Sequence, residues 1–130
     1  MTLNGKIVAI TGGGTGIGAG LARGLAAAGA HVTIGGRRSE PLQEVAGSVD
    51  AVQPIRTHVI DVAENASIEA FFGDIRDNVG PVDILINSAG INIAKRTMAE
   101  MDPEEWDRVL RVPIAACGKS CPRCETAEMV

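Results

Sequence analysis

The 130-residue chain has room for about one domain, and its 45% hydrophobic and 22% charged residues are ordinary for a folded globular protein. Its 16 acidic and 12 basic side chains give a net charge of −4, and no Lys/Arg stripe suits a nucleic-acid backbone, so no nucleic-acid partner is expected. No apolar run approaches the ~20 residues of a membrane helix and no signal-peptide pattern opens the chain, so we expect a cytoplasmic protein without membrane contact.

The predicted elements begin with a strand, a glycine cluster and a helix. Residues 6–10 form an apolar run that reaches the glycines, after which the spacing becomes helical. Gly29 stands where a helix-ending glycine belongs, and residues 31–34 form a second strand that ends at two glycines. The helix face that we expect to be buried carries Ile17, Leu21 and Leu25. These elements predict a βαβ unit.

Two further helices alternate with two further strands. Ser39 is expected to cap a short helix, and residues 55–62 form the third strand. A longer helix ends at Gly80-Pro81, and residues 82–86 form the fourth strand. The inward positions of the two helices are Leu42, Val45, Ile68, Phe71, Phe72, Ile75 and Val79. This alternation predicts an α/β fold, a Rossmann-type doubly wound parallel sheet whose N-terminal half has strand order 3-2-1-4.

A last helix is predicted to begin at Asp102, which can cap it. Pro103 suits the first turn and Glu105 lies at capping-box spacing. Pro113 removes a backbone donor, so the helix is expected to end near Val112. Its expected inward positions are Trp106, Val109 and Leu110.

The segment TGGGTGIG, between the first strand and the first helix, is typical of a phosphate-binding turn. Gly12 would permit the tight turn, Gly16 would let a pyrophosphate approach the backbone, and Gly18 would let the helix press on the sheet. The alternative is a glycine-rich turn without a ligand. Its position inside a βαβ unit favours a dinucleotide. The candidate binding residues here are Thr11, Gly12, Gly14, Thr15, Gly16, Ile17 and Gly18.

The end of the second strand indicates which dinucleotide is bound. An NAD-specific site would present an acidic residue to the ribose 2′-hydroxyl, but this chain has Gly36 there, followed by Arg37 and Arg38. A guanidinium suits a 2′-phosphate, so NADP(H) is the preferred cofactor and NAD(H) stays open. The alternative role of the two arginines is a solvated basic loop without a ligand. Asp61 could accept a bond from the adenine amine or serve as a turn carboxylate.

Over residues 3–112 the sequence resembles the short-chain dehydrogenase/reductase family. The markers are TGGGTGIG, the pair Asp61-Val62 and the segment VDILINSAGI, in which Ser88 replaces an expected asparagine. The resemblance implies that Asn87 stabilises the central sheet and that Ala89-Gly90 passes close to the adenosine ribose. It also implies NAD(P)-dependent hydride transfer between an alcohol and a carbonyl. Residues 92–110 are similar to bacterial members that act on sugars, sugar acids or 3-oxoacyl thioesters.

The catalytic residues of that family are not found in this chain. The family uses a tyrosine, a lysine, a serine and a helix asparagine, whereas the 130 residues contain no tyrosine and Pro113 occupies the asparagine position. Lys119 and Ser120 lack the Tyr-x-x-x-Lys setting, so no role transfers to them. We therefore expect a truncated, inactive family member, with a non-catalytic dinucleotide-binding module as the alternative.

Residues 113–130 are expected to form a tail distinct from the binding half-domain of residues 1–112. The tail holds Cys117, Cys121 and Cys124, whose spacing could serve a metal site, although no fourth ligand is evident. A shifted reading frame fits better, since it admits EVLPALRDGGDG, which resembles the family's segment before the serine strand. Without a fifth strand, the fourth would be an exposed edge open to self-association.

Overall fold

The computed structural model describes residues 2–90, 99, 102–107 and 109. Its elements in chain order are β1 (Ile7–Thr11), α1 (Gly16–Ala27), β2 (His31–Gly36), α2 (Ser39–Gly47), β3 (Arg56–Val59), α3 (Asn65–Asn78) and β4 (Ile84–Asn87). The four strands are parallel and lie in the order β3-β2-β1-β4, which confirms the expected sheet. Within the described part of the chain, no helix is long and apolar enough to cross a bilayer.

The sheet separates two buried clusters of side chains. Along β1, Val8 and Ile10 belong to the cluster beneath α1 and α2, while Ala9 belongs to the cluster beneath α3. This alternation arises because successive strand residues point to opposite faces. The predicted helix positions that are buried are Leu42, Val45, Ile68, Phe71, Phe72 and Ile75, with Val79 partly buried against the second cluster.

The expected buried face of α1 is wrong. Ile17 is 78% exposed and Leu21 39% exposed, and Leu25 is only partly buried. The buried positions are Gly18, Ala19, Ala22 and Ala26. A Cβ at Gly18 would collide with the Gly12 carbonyl oxygen, so the start of the helix lies too close to the glycine turn for a larger residue there. The small residues, themselves at helical spacing, form the packed stripe.

The helix ends agree with the sequence in some places and differ in others. Gly29 has φ +91°, its amide donates to the Ala26 carbonyl, and the Ala30 amide donates to the Leu25 carbonyl, which confirms the glycine stop of α1. Ser39 does not cap α2. It is the first helical residue, because the backbone is still extended at Arg38, and no side chain caps the amino terminus of this helix.

The last described helical residues, 103–107 and 109, follow Asp102 as expected. Asp102 Oδ1 accepts a hydrogen bond from the Glu104 amide at 3.0 Å, which confirms its capping role. Trp106 does not face inward, because it is 45% exposed and belongs to neither buried cluster of the described residues. Leu110, Val112 and Pro113 lie outside the described residues.

Candidate functional site

The carboxyl ends of the strands open onto a cavity of about 430 Å³. Parallel strands bring these ends to one edge of the sheet, where α/β proteins bind ligands. The volume lies within the range of about 300–1,000 Å³ typical of small-molecule sites. The lining residues are Gly12, Gly14, Thr15, Gly16, Ile17, Gly36, Arg37, Arg38, Pro41, Ile60, Asp61, Val62, Ala63, Ser88, Ala89 and Gly90.

The glycine turn forms one wall of this cavity. Gly12 has φ +71°, and a Cβ there would lie 2.5 Å from the Ala89 amide nitrogen, so only glycine lets the turn touch the segment after β4. The amides of Gly12 and Gly13 both donate to the Gly35 carbonyl at the end of β2. Gly16, at φ +55°, has no atom within 4 Å of the place where a Cβ would stand. The backbone is therefore open to a ligand at Gly16.

The amino terminus of α1 is suited to an anion. The first amides of a helix have no acceptor within the helix, and the helix dipole places partial positive charge there. Thr15, the residue before the helix, makes no side-chain capping hydrogen bond, and the first turn contains no acidic residue. A diphosphate could therefore accept hydrogen bonds from these amides without displacing a protein group.

A buried hydroxyl joins the ends of β1 and β4. The Oγ1 atom of Thr11 donates to Asn87 Oδ1 at 3.2 Å and accepts from the Ala89 amide at 3.5 Å. The Ser88 amide donates to the Thr11 carbonyl at 3.0 Å. Thr11 and Asn87 thus do not line the cavity, and the bonds of Thr11 hold the segment after β4 against the glycine turn.

Two cationic side chains lie at the β2 end of the cavity. Arg37 and Arg38 both line it and are exposed to solvent. Among the described residues, ion pairs join Arg56 to Asp74 and Arg76 to Asp77. Neither cavity arginine is therefore paired with a described acidic residue. No acidic residue stands at Gly36, which also lines the cavity. This end of the site therefore carries positive charge.

Asp61 lines the cavity and also forms a turn. Its Oδ1 accepts a hydrogen bond from the Ala63 amide at 3.0 Å, and its own amide donates to Ser67 Oγ at 2.9 Å. Asp61 is thus a turn carboxylate, as one of the two predicted roles required, and it also lines the cavity beside Val62.

The structure brings most of the sequence-predicted residues to one place. Of the predicted set, Thr11, Gly18 and Asn87 do not line the cavity but support its walls. Lining residues that the sequence did not single out as binding positions are Gly36, Pro41, Ile60, Ala63 and Ser88. The positions beside the strand ends could have been found from the rule that ligands meet those ends.

The cysteine tail lies outside the described residues, as do Lys119 and Ser120. Among the residues that are described, no group of three or more histidine, cysteine or acidic side chains could hold a metal ion.

A βαβ unit with a glycine turn, an open helix amino terminus and a cavity at the strand ends defines a Rossmann-type α/β protein. The chain belongs to the short-chain dehydrogenase family, whose sequence model matches residues 6–122. It is 32% identical over 114 residues to meso-2,3-butanediol dehydrogenase of Serratia marcescens, covering 88% of this chain and 45% of that protein. Gluconate 5-dehydrogenase of Gluconobacter oxydans (strain 621H) is 34% identical over 116 residues, covering 88% and 45%.

Solved structures agree with this assignment. A metagenomic short-chain oxidoreductase in complex with NADP superimposes with a TM-score of 0.82 at 28% identity, covering 95% of this chain and 58% of that chain. The present chain spans about half the length of the curated relatives that it matches.

Proposed function

We propose that this chain is the cofactor-binding part of an NADP(H)-dependent oxidoreductase of the short-chain family. The observation that carries the proposal is that one cavity is lined both by the uncapped amino terminus of α1 and by two arginines that make no ion pair with the described residues. The first suits a diphosphate and the second suits a 2′-phosphate. When bound, such a cofactor supplies or accepts a hydride.

The preference for NADP(H) over NAD(H) rests on charge and hydrogen-bond donors. A 2′-hydroxyl is best met by a carboxylate, and Gly36 offers none. Arg37 or Arg38 can donate paired hydrogen bonds to a 2′-phosphate, each charge-assisted bond contributing about 1.5–3 kcal/mol. In the proposed site, Asp61 and Val62 border the adenine, and Ala89 and Gly90 border its ribose. An NADP complex in a structural relative supports the same choice.

The proposed reaction is the interconversion of an alcohol and a carbonyl. The likeness to gluconate 5-dehydrogenase supports a sugar acid as the substrate class, beside the 3-oxoacyl type that residues 92–110 also resemble. We place the protein in the cytoplasm, since residues 1–116 contain no cysteine and thus no disulfide framework.

A second candidate function is binding without turnover. The 130 residues contain no tyrosine, the side chain that transfers the proton in this family. A positioned general acid contributes about 10²–10⁴-fold to a rate, so this chain alone should bind the cofactor but reduce a substrate very slowly. The residues that line the cavity support a role in holding the dinucleotide.

Titration calorimetry with NADPH and NADH tests the proposal. We expect NADPH to bind at least about tenfold more tightly, because the 2′-phosphate gains a charge-assisted contact. The double variant Arg37→Gln/Arg38→Gln should lose this difference. Arg76→Gln is the matched control, since that arginine pairs with Asp77 and lies outside the cavity lining. A folded chain with no affinity for either dinucleotide would refute the proposal.

We also propose that the chain self-associates through β4. This strand pairs only with β1 among the described elements, and Ile84, Leu85 and Ile86 are only half-buried. Residues 84–90 carry no charge, so this edge lacks the charged side chains that usually prevent edge pairing. Sedimentation velocity over a concentration series should show reversible dimers or larger species. A monomer at every concentration would contradict the proposal.

A further inference from the structure

We infer that Asn4 is a site of spontaneous chemical modification, at which the side-chain amide is lost and an aspartate or isoaspartate is formed. The Gly5 amide nitrogen attacks Cγ of Asn4, and the bond from Cγ to the side-chain nitrogen breaks. That nitrogen leaves as ammonia with the Gly5 amide proton, and water then opens the resulting succinimide ring at one of its two carbonyls. The reaction uses no cofactor, so it does not depend on the proposed function.

The first observation is the turn before β1 that contains these two residues. The Lys6 amide donates to the Leu3 carbonyl at 3.0 Å across it. Gly5 has φ +74° and Asn4 has a negative φ, so this is a type II turn with glycine at the position that requires a positive φ. Both residues are exposed, and no atom lies within 4 Å of the place where a Cβ would stand on Gly5. The turn is therefore open to water and leaves room for the ring.

The second observation is the state of the attacking nitrogen. The Gly5 amide donates no hydrogen bond to any described residue, so no such bond has to break before it reacts. Two other asparagines differ in this respect. The amide that follows Asn78 donates to the Ile75 carbonyl at 2.8 Å. The amide that follows Asn87 donates to the Thr11 carbonyl at 3.0 Å. These two asparagines are therefore internal controls.

The third observation is what the Asn4 side chain contacts. Its Oδ1 atom lies where a Cβ of Gly29 would stand, just after the end of α1. The carboxyl end of a helix carries partial negative charge, and the last turn of α1 contains no basic residue to offset it. A carboxyl group at residue 4 would be ionised at neutral pH. The product should therefore be less stable than the original chain.

An isoaspartate would affect the same region through the backbone. The main chain then passes through Cβ and Cγ of residue 4 and is one carbon longer within the turn. The turn is fixed at both ends, because the Leu3 amide donates to the Ala28 carbonyl at 3.1 Å. At the other end, the His31 amide donates to the Lys6 carbonyl at 2.8 Å. A longer chain between these two points should lose the hydrogen bond from Lys6 to Leu3.

The test is incubation of the folded full chain at mildly alkaline pH, followed by mass spectrometry of its peptides. This measurement detects the exchange of NH₂ for OH, and chromatography separates the aspartate and isoaspartate forms. Asn4 should react at least about tenfold faster than Asn78 and Asn87, which must first break a hydrogen bond. Gly5→Ala should slow the reaction, because its methyl group hinders the attacking nitrogen. Equal rates at the three asparagines would overturn the inference.

Urea unfolding tests the consequence for stability. Asn4→Asp, which is the aspartate product, should have a folding equilibrium constant about two- to fivefold lower than the original chain. Asn65→Asp is the matched control, since it makes the same chemical change at the exposed amino-terminal residue of α3. There the helix dipole favours a carboxylate, so the equilibrium constant should stay equal or rise. A decrease in both variants would refute the effect of charge at the end of α1.

Discussion

Two buried threonines on neighbouring strands should respond to the same substitution in opposite directions. Thr11 on β1 is fully buried, and its hydroxyl bonds to Asn87 and to the Ala89 amide. Thr33 on β2 is 1% exposed, and its Oγ1 has no hydrogen-bond partner among the described residues. Replacement by valine removes the hydroxyl and retains nearly the same shape. Only the hydrogen bonding therefore differs between the two sites.

The expected magnitudes follow from these partners. Thr11→Val leaves the half-buried Ala89 amide without its acceptor, but that hydrogen bond is long, at 3.5 Å. The exposed Asn87 can bond to water instead. The free energy of unfolding should therefore fall by about 1 kcal/mol. Thr33→Val removes a hydroxyl that is desolvated without compensation, so the gain is also about 1 kcal/mol. The two variants should then differ by about 2 kcal/mol, a factor of about 30 in the folding equilibrium.

Urea unfolding followed by circular dichroism measures this difference, with equal slopes as evidence that only stability has changed. Thr11→Ser, which keeps the hydroxyl, should retain more stability than Thr11→Val after correction for the lost methyl group. If both valine variants shift the midpoint in the same direction, the hydrogen-bond assignment of one of these threonines is wrong.

Four further variants test the site and the helix. Gly12→Ala should reduce NADPH affinity by more than about tenfold in calorimetry. The alanine would have to adopt a positive φ, which costs roughly 1–2 kcal/mol, and its Cβ would clash with the Ala89 amide. Unchanged affinity would contradict the geometry of the turn. Gly36→Asp should fold normally, since its Cβ meets only the flexible end of Leu42 at 3.3 Å. The new carboxylate should shift the binding preference from NADPH towards NADH. An unchanged ratio of the two affinities would argue against the ribose assignment. In urea unfolding, Leu21→Gln should lower the free energy of unfolding by less than about 1 kcal/mol, because Leu21 is partly exposed. Ala22→Leu should lower it by about 1–3 kcal/mol, because it overpacks a buried position. If Leu21→Gln were the more destabilising variant, the face of α1 with the larger residues would be the buried one.

Much of the fold could be predicted from the sequence because strands and helices differ in apolar period. The alternation of elements, the strand order and the inward positions of α3 all followed from that pattern and from right-handed crossovers. The face of α1 did not follow, since larger apolar residues were given more weight than alanine. The deciding constraint is the close approach of Gly18, in α1, to Gly12, in the turn after β1. The apolar period of the helix alone does not show this contact.

The site was predictable where a ligand-binding rule applies to the local chain. The glycine turn and the arginines after β2 were found in this way, and both line the cavity. Pro41 was missed because it reaches the cavity through a tertiary contact: a Cβ at Gly14 would lie 3.2 Å from Pro41 Cβ. Ser39 was expected to be the cap, but the extended backbone at Arg38 puts the cap position one residue earlier, so Ser39 is the first helical residue.

Amide chemical-shift mapping of the isotope-labelled chain during titration with NADPH tests the central claim most directly. The account predicts saturable shifts that are largest from Gly14 to Gly18, at the start of α1, with a second group around Arg37 and Arg38. Shifts confined to the opposite end of the sheet, near His31 and Gln53, or no shifts from a folded spectrum, would contradict it.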